Sequence, residues 1–202
     1  MDIEKQIQRL LKKRCCCSIP EVTEFPAEPQ DGRQVIIDNV VYIFINGEWN
    51  IIDTYPITAP DISPEHTFGS ASYAENQSKD VVIRLRNLGN SVSSGTIFVT
   101  IPKIDPIFSF AISEATTSTT VGVTTYTTFN PDLYIFEYSD RWELHTKPGI
   151  TIAANTTAYI GLTITATGVQ SNVATFTTKV ELYSGGEKVT TNNRKTSSLS
   201  IN

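Results

Sequence analysis

AYIGLTITATG, residues Ala158–Gly168, places Ile160, Leu162, Ile164 and Ala166 at alternate positions. Thr163, Thr165 and Thr167 fall between them, so an extended chain would carry one apolar and one hydroxyl-bearing face. DVVIRLRN (Asp80–Asn87), GTIFVTI (Gly95–Ile101) and VATFTTKVELY (Val173–Tyr183) repeat the pattern. One-faced strands need a second layer to cover them, which predicts a mainly β chain with an antiparallel β-sandwich over 79–202.

The chain has 202 residues, 40% of them hydrophobic and 18% charged, enough for one good core plus an appendage. Its net charge is −5, yet Lys5, Arg9, Lys12, Lys13 and Arg14 crowd the first residues against only Asp2 and Glu4. The remaining body is acidic, which argues against nucleic acid as a partner. Apolar runs such as VVYIFI (Val40–Ile45) are too short for a membrane-spanning helix.

Ahead of the sandwich the sequence divides into four parts. Ile3, Ile7, Leu10 and Leu11 share one face of an expected amphipathic helix over 1–17, which either caps its own domain or inserts into an assembly. A lone helix of this length is marginal in water, so the stripe is expected to dock. Residues 18–32, with Pro20, Pro26 and Pro29, read as a stiff tether. Residues 33–56 read as a small β unit, with Asn46-Gly47 as its strongest hairpin signal. Its strands look too few to bury Val41, Ile43, Ile45, Trp49 and Ile51 unaided. Residues 57–78, with Pro60 and Pro64, read as a linker.

The opening MDIEKQIQRLLKKRCCC has charges throughout and no apolar core, so an export signal is not expected there. Cys15, Cys16 and Cys17 are adjacent and do not form a disulfide framework. They fit buried or assembly-contact thiols in a reducing compartment, with lipidation or metal binding as the alternative.

Chemistry is sparse. The two histidines, His66 in the expected linker and His145 beside the expected core residue Trp142, suggest no Ser–His or Cys–His arrangement. No phosphate-binding or hydrolase motif is present, so no enzyme and no cofactor are expected. Asp132, Glu137 and Asp140 are the weak candidates for calcium. ATTSTTVGVTTYTTF (Ala115–Phe129) holds eight threonines and is expected as a hairpin or long exposed loop, a decoration or a contact element.

Two resemblances follow from these residues. Tyr42, Asn46, Gly47 and Trp49 resemble short hairpins of bacteriophage fibre and virion proteins. RLRNLGNSVSSGTIFVTIP (Arg84–Pro102), ITIAANTTAYIGLTITATG (Ile150–Gly168) and the closing stretch with Asn192-Asn193 resemble the Ig-like repeats of bacterial cell-adhesion-related proteins, with an insertion between Ile104 and Tyr138. The second resemblance implies an Ig-like sandwich used for binding or display. Taken with the expected docking helix, stiff tether and coreless hairpin, the lack of an expected export signal and the reduced cysteines, they lead to the expectation of a structural component of a tailed bacteriophage, such as a head fibre, capsid decoration or neck/tail protein, assembled in the host cytoplasm. Its partners would be capsid, portal or tail proteins and copies of itself, as a trimer. The expected assembly interface is Ile3, Ile7, Leu10, Leu11, Tyr42, Phe44 and Trp49. The alternative is a bacterial surface adhesion or carbohydrate-binding module, with a host-surface glycan as partner.

Overall fold

The computed structural model describes residues 24–31, 33–37, 40–54 and 59–202. The expected helix over 1–17, with Ile3, Ile7, Leu10 and Leu11, lies outside the described residues, as do the three cysteines. The chain divides between Ile57 and Thr58 into two units.

The first unit is an antiparallel meander of β1 (Gln34–Ile37), β2 (Val40–Ile45) and β3 (Glu48–Thr54). Asn46 and Gly47 connect β2 to β3 with φ of 55° and 87°. Positive φ at both central residues is the type I′ geometry that matches strand twist, which is why Asn-Gly stands here. Val35, Tyr42 and Ile51 are cross-strand neighbours and share a face with Phe44 and Trp49. Phe25 packs on that face, stacked on Trp49 and edge-on to Tyr42, each at 4.9 Å. Ile43 and Ile45 occupy the opposite face. The sequence left open whether the sandwich or other copies would cover this apolar surface; Val35, Ile43 and Ile45 are buried, while Ile51 stays exposed.

The second unit is a two-sheet sandwich. Its six-stranded sheet runs β11 (Leu133–Glu137), β12 (Arg141–Thr146), β7 (Phe98–Pro102), β14 (Val173–Val180), β15 (Arg194–Ile201) and β5 (Ser72–Tyr73). Its four-stranded sheet runs β4 (Ile62–Phe68), β6 (Ser78–Asn87), β13 (Thr157–Ala166) and β8 (Phe108–Ala111). All pairings are antiparallel except the short β15–β5 contact. The alternating residues read from the sequence meet between the layers. Val81, Ile83, Leu85, Ile160, Leu162 and Ile164 face Val99, Ile101, Leu144, Phe176, Leu199 and Ile201 in one core. Trp142 belongs to that core, as expected.

Two boundaries differ from expectation. The stretch over 57–78 is not simply a linker, because β4 pairs with β6 from Ile62–Asn87 to Phe68–Val81. Pro64 hid this strand. As the outermost strand of its sheet, β4 has one edge without a ladder, where a proline's missing N–H costs nothing. The expected insertion between Ile104 and Tyr138 likewise supplies a strand to each sheet, β8 and β11.

The threonine-rich stretch forms a separate hairpin, β9 (Ser118–Val121) and β10 (Thr124–Thr127). It lies against the outer side of the four-stranded sheet. Val82 points outward there yet is fully buried, and Val121 and Thr119 are buried with it. Gly161 makes this approach feasible: a Cβ there would collide with Thr119 Oγ1 and sit 3.0 Å from Thr128 Cγ2. So this stretch is half packing element and half exposed surface.

Candidate functional site

The outer face of the six-stranded sheet presents its aromatic residues to solvent. On β11, Leu133 and Ile135 turn inward, which sends Tyr134 and Phe136 outward by the two-residue period. Register then aligns Tyr134 with His145 of β12 and His145 with Phe98 of β7. The imidazole of His145 sits 4.6 Å from the Phe98 ring and 5.0 Å from the Phe136 ring. Phe98, Tyr134, Phe136 and Tyr138 are 38–45% exposed, so these rings form a surface and not a core.

The charges around this patch are paired. Arg141 Nε donates to Glu143 Oε1 at 2.7 Å, and its guanidinium lies 4.6 Å from the centre of the Tyr138 ring. Lys179 Nζ donates to Glu181 Oε2 at 2.7 Å, and Thr100 Oγ1 donates to Glu181 Oε1 at 2.9 Å. These contacts hold the Glu181 carboxyl below the usual range against the opposing effect of its partial burial. Lys147 Nζ bonds Glu114 at 3.0 Å and lies 5.4 Å from the Tyr134 ring. An apolar centre with a neutralised polar margin is the composition of a protein interface.

The edge of the sheet is guarded. The Tyr138 and Lys147 backbone bonds to Arg141 and Asp132 set the ladder, so the N–H groups of Leu133, Ile135 and Glu137 point to the free side of β11. Glu114 Oε1 accepts from Ile135 N, and Lys103 Nζ holds Glu137 at 2.7 Å. The exposed ladder is thereby blunted against strand addition.

The candidate calcium residues do not come together. Glu137 is taken by Lys103 and Asp140 by Arg141. Among the described residues no group of three or more His, Cys, Asp or Glu side chains gathers around a common point.

A Ser–His contact does form, contrary to expectation. His66, carried into the sandwich by β4, has Nδ1 2.9 Å from Ser197 Oγ and Nε2 2.9 Å from Thr178 Oγ1. The ring packs 4.5 Å from Phe176, and burial, aided by nearby Lys195, pushes its pKa down to about 4. Both nitrogens are occupied by hydroxyls and no carboxylate orients the ring, so the arrangement ties the two sheets together and lacks the form of an activated nucleophile. A second buried polar group closes the opposite part of the same edge. Glu187, 2% exposed, accepts from Ile62 N at 3.0 Å and from Asn193 Nδ2. Burial pushes its carboxyl up to about 7, with the Asp61 carboxylate adding to the rise.

Of the sequence-predicted interface residues, the structure gathers Tyr42, Phe44 and Trp49 on one face of the first unit. It places Phe98, Tyr134, Phe136, Tyr138 and His145, which sequence reasoning did not single out, on one face of the second. The missed signal was local: LYIFEY carries Tyr134, Phe136 and Tyr138 at every second position.

No family model matches the chain, and no curated protein matches it. Among solved structures, the chain is similar to a cohesin module of a Clostridium perfringens family 33 glycoside hydrolase at 11% identity and a TM-score of 0.49. That match covers 71% of this chain and 98% of the module. It is also similar to the CARDB domain of a Pyrococcus furiosus protein solved in complex with di-metal ions, at 14% identity and a TM-score of 0.42, covering 74% and 94%. The sandwich architecture rests on the strand pairing described above, and these likenesses say nothing about activity. Among the described residues no helix is long and apolar enough to cross a membrane.

Proposed function

We propose that the chain is a non-catalytic structural module that docks a protein partner on the outer face of its six-stranded sheet. The observation that carries this reading is the exposed row Tyr134, His145 and Phe98 with Phe136 and Tyr138 beside it. Burying such rings supplies most of the energy in interfaces of ordinary size, while the paired charges at the margin give register. Because Arg141, Glu143, Lys179 and Glu181 already neutralise one another, the matching partner surface is flat, largely apolar and poor in unpaired charge. Docking in place of catalysis is supported by the state of His66, which has both nitrogens engaged inside the sandwich.

The wider proposal is that the partner belongs to a bacteriophage particle, as a capsid, portal or tail protein, and that the chain is a head fibre, decoration or neck/tail component. It rests on the hairpin at Tyr42, Asn46, Gly47 and Trp49, whose aromatic face keeps Ile51 and Phe25 exposed and offers a second contact surface for self-association as a trimer. A bacterial adhesion or carbohydrate-binding module is the second reading, favoured by a hydroxyl-lined cleft in the sandwich.

The experiment is incorporation into particles of the full chain carrying Tyr134→Ser with Phe136→Ser. Circular dichroism and thermal unfolding should match wild type, since neither ring is core. The wild-type chain should sediment with particles and the double variant should remain behind. Equal incorporation of the variant would remove the sheet face as the docking surface.

A further inference from the structure

The cleft is a separate feature of the second unit, produced where two paired strands part. β8 follows β13 from Phe108–Ala166 to Ala111–Thr163 and then leaves it. Beyond that point Gly161 has lost its neighbour, and the buried side chain of Asn130 replaces it. Asn130 Oδ1 accepts from Gly161 N at 2.8 Å, and its Nδ2 donates to Gly161 O at 2.8 Å and to Ser113 O at 2.9 Å. The diverging backbone borders an open cleft of about 530 Å³. That is within the usual range for sites that hold small molecules.

Its walls combine three kinds of group. Ser113, Thr116, Ser118, Thr119 and Thr163 bring hydroxyls, Asp80 and Glu137 bring carboxylates, and Phe110, Ile112, Leu162 and Trp142 bring apolar surface. Among the described residues no lysine or arginine lines it. Lys103 reaches Glu137 and lies 5.7 Å from the centre of the Trp142 ring. Thr163 Oγ1 donates to Asp80 Oδ1 at 2.8 Å, which fixes that carboxylate at the rim. Trp142 is 8% exposed, and its indole N–H is buried without an acceptor. That nitrogen is closed to water-sized atoms, so Trp142 borders the cleft without offering it a reachable donor.

We propose that this cleft binds a neutral polyhydroxylated ligand with the chemistry of a mono- or disaccharide. Such a ligand donates hydroxyl protons to the open lone pairs of Asp80 and Glu137, exchanges hydrogen bonds with the hydroxyls of Ser113 and Thr116, and lays its C–H surface on Phe110 and Ile112. An anion meets two carboxylates, and the neighbouring Lys103 ammonium is already paired with Glu137. A purely apolar molecule displaces the water that the lining hydroxyls and the remaining carboxylate lone pairs would otherwise bond. The site deepens the carbohydrate-binding reading and is independent of the aromatic sheet face. Its failure would leave that docking surface standing, and the reverse also holds.

The test is titration of the ¹⁵N-labelled full chain with glucose, galactose and lactose, followed by the indole N–H resonance of Trp142. Glucuronate and glucosamine serve as charged comparisons. At least one neutral sugar should move that resonance saturably as the cleft beside Trp142 fills. Asp80→Ala should weaken binding about tenfold, with the rest of the spectrum reporting an intact fold, and Glu137→Ala should act in the same direction. The proposal is overturned if no neutral sugar gives a saturable shift, if the charged sugars bind as well or better, or if both variants bind like wild type.

Discussion

Replacing Glu187 by glutamine should tilt the dependence of stability on pH in one direction, and replacing His66 by glutamine should tilt it in the other. The folded protein holds the Glu187 proton up to about pH 7, whereas an ordinary glutamate releases it near 4.5. The folded state therefore binds more protons than the unfolded chain in that window, and stability falls as pH rises through it. His66 has the opposite sign. Unfolded, it takes up a proton near 6.5, but burial delays protonation to about 4 in the folded state, so stability rises with pH. Between pH 4.5 and 6.5 each group contributes a change of about 2 kcal/mol, and the two cancel. Glu65, whose carboxyl is lowered chiefly by its hydrogen bond from Arg86, acts below this window. Urea unfolding of the full chain, followed by circular dichroism, should therefore give a nearly flat wild-type midpoint over that range. Glu187→Gln should gain about 1 M in midpoint from the acid to the neutral end. His66→Gln should lose about as much. Each slope is read independently of any constant loss from altered packing. If both variants keep the wild-type profile, neither group titrates as its surroundings require and the reasoning fails.

Other outcomes follow from packing. Gly161→Ala drives a methyl group into Thr119 and Thr128 and should cost about 1–3 kcal/mol. Hydrogen exchange should then accelerate selectively in the hairpin Ser118–Thr127 if that hairpin lifts away. Asn130→Ala removes three hydrogen bonds to backbone, two of them buried, and should cost about 2–4 kcal/mol in urea unfolding. Gly89→Ala would place a Cβ 2.8 Å from Asp61 N and 2.9 Å from Pro60 C, backbone atoms that cannot turn aside. Its loss should be about 3 kcal/mol or more, seen as a lowered thermal midpoint.

The two-sheet architecture was legible because each inner strand states its period plainly, as Ile160, Leu162 and Ile164 do against Thr163 and Thr165. Asn46-Gly47 was equally plain, since few residue pairs tolerate positive φ in succession. Strand β4 was not legible, because Pro60 and Pro64 carry the marks of a linker and only the sheet's edge explains them. Tyr134, Phe136 and Tyr138 alternate as clearly as any core strand does. Periodicity shows which residues share a face, but not which face meets solvent, and that is set by Leu133 and Ile135 entering the core. His66 with Ser197, and Glu187 with Ile62, join positions 131 and 125 residues apart. No local pattern encodes such a meeting. The cleft depends on where β8 parts from β13, and strand divergence leaves no periodic trace.

Hydroxyl-radical footprinting addresses the docking face most directly, with the chain labelled once in isolation and once within its native assembly. Tyr134, Phe136 and Tyr138 should react readily in isolation and become protected in the assembly, while Tyr126 of the threonine-rich hairpin reacts alike in both. Equal labelling of the three β11-side rings in the two states would mean that this face stays open to water and that the protein works through some other surface.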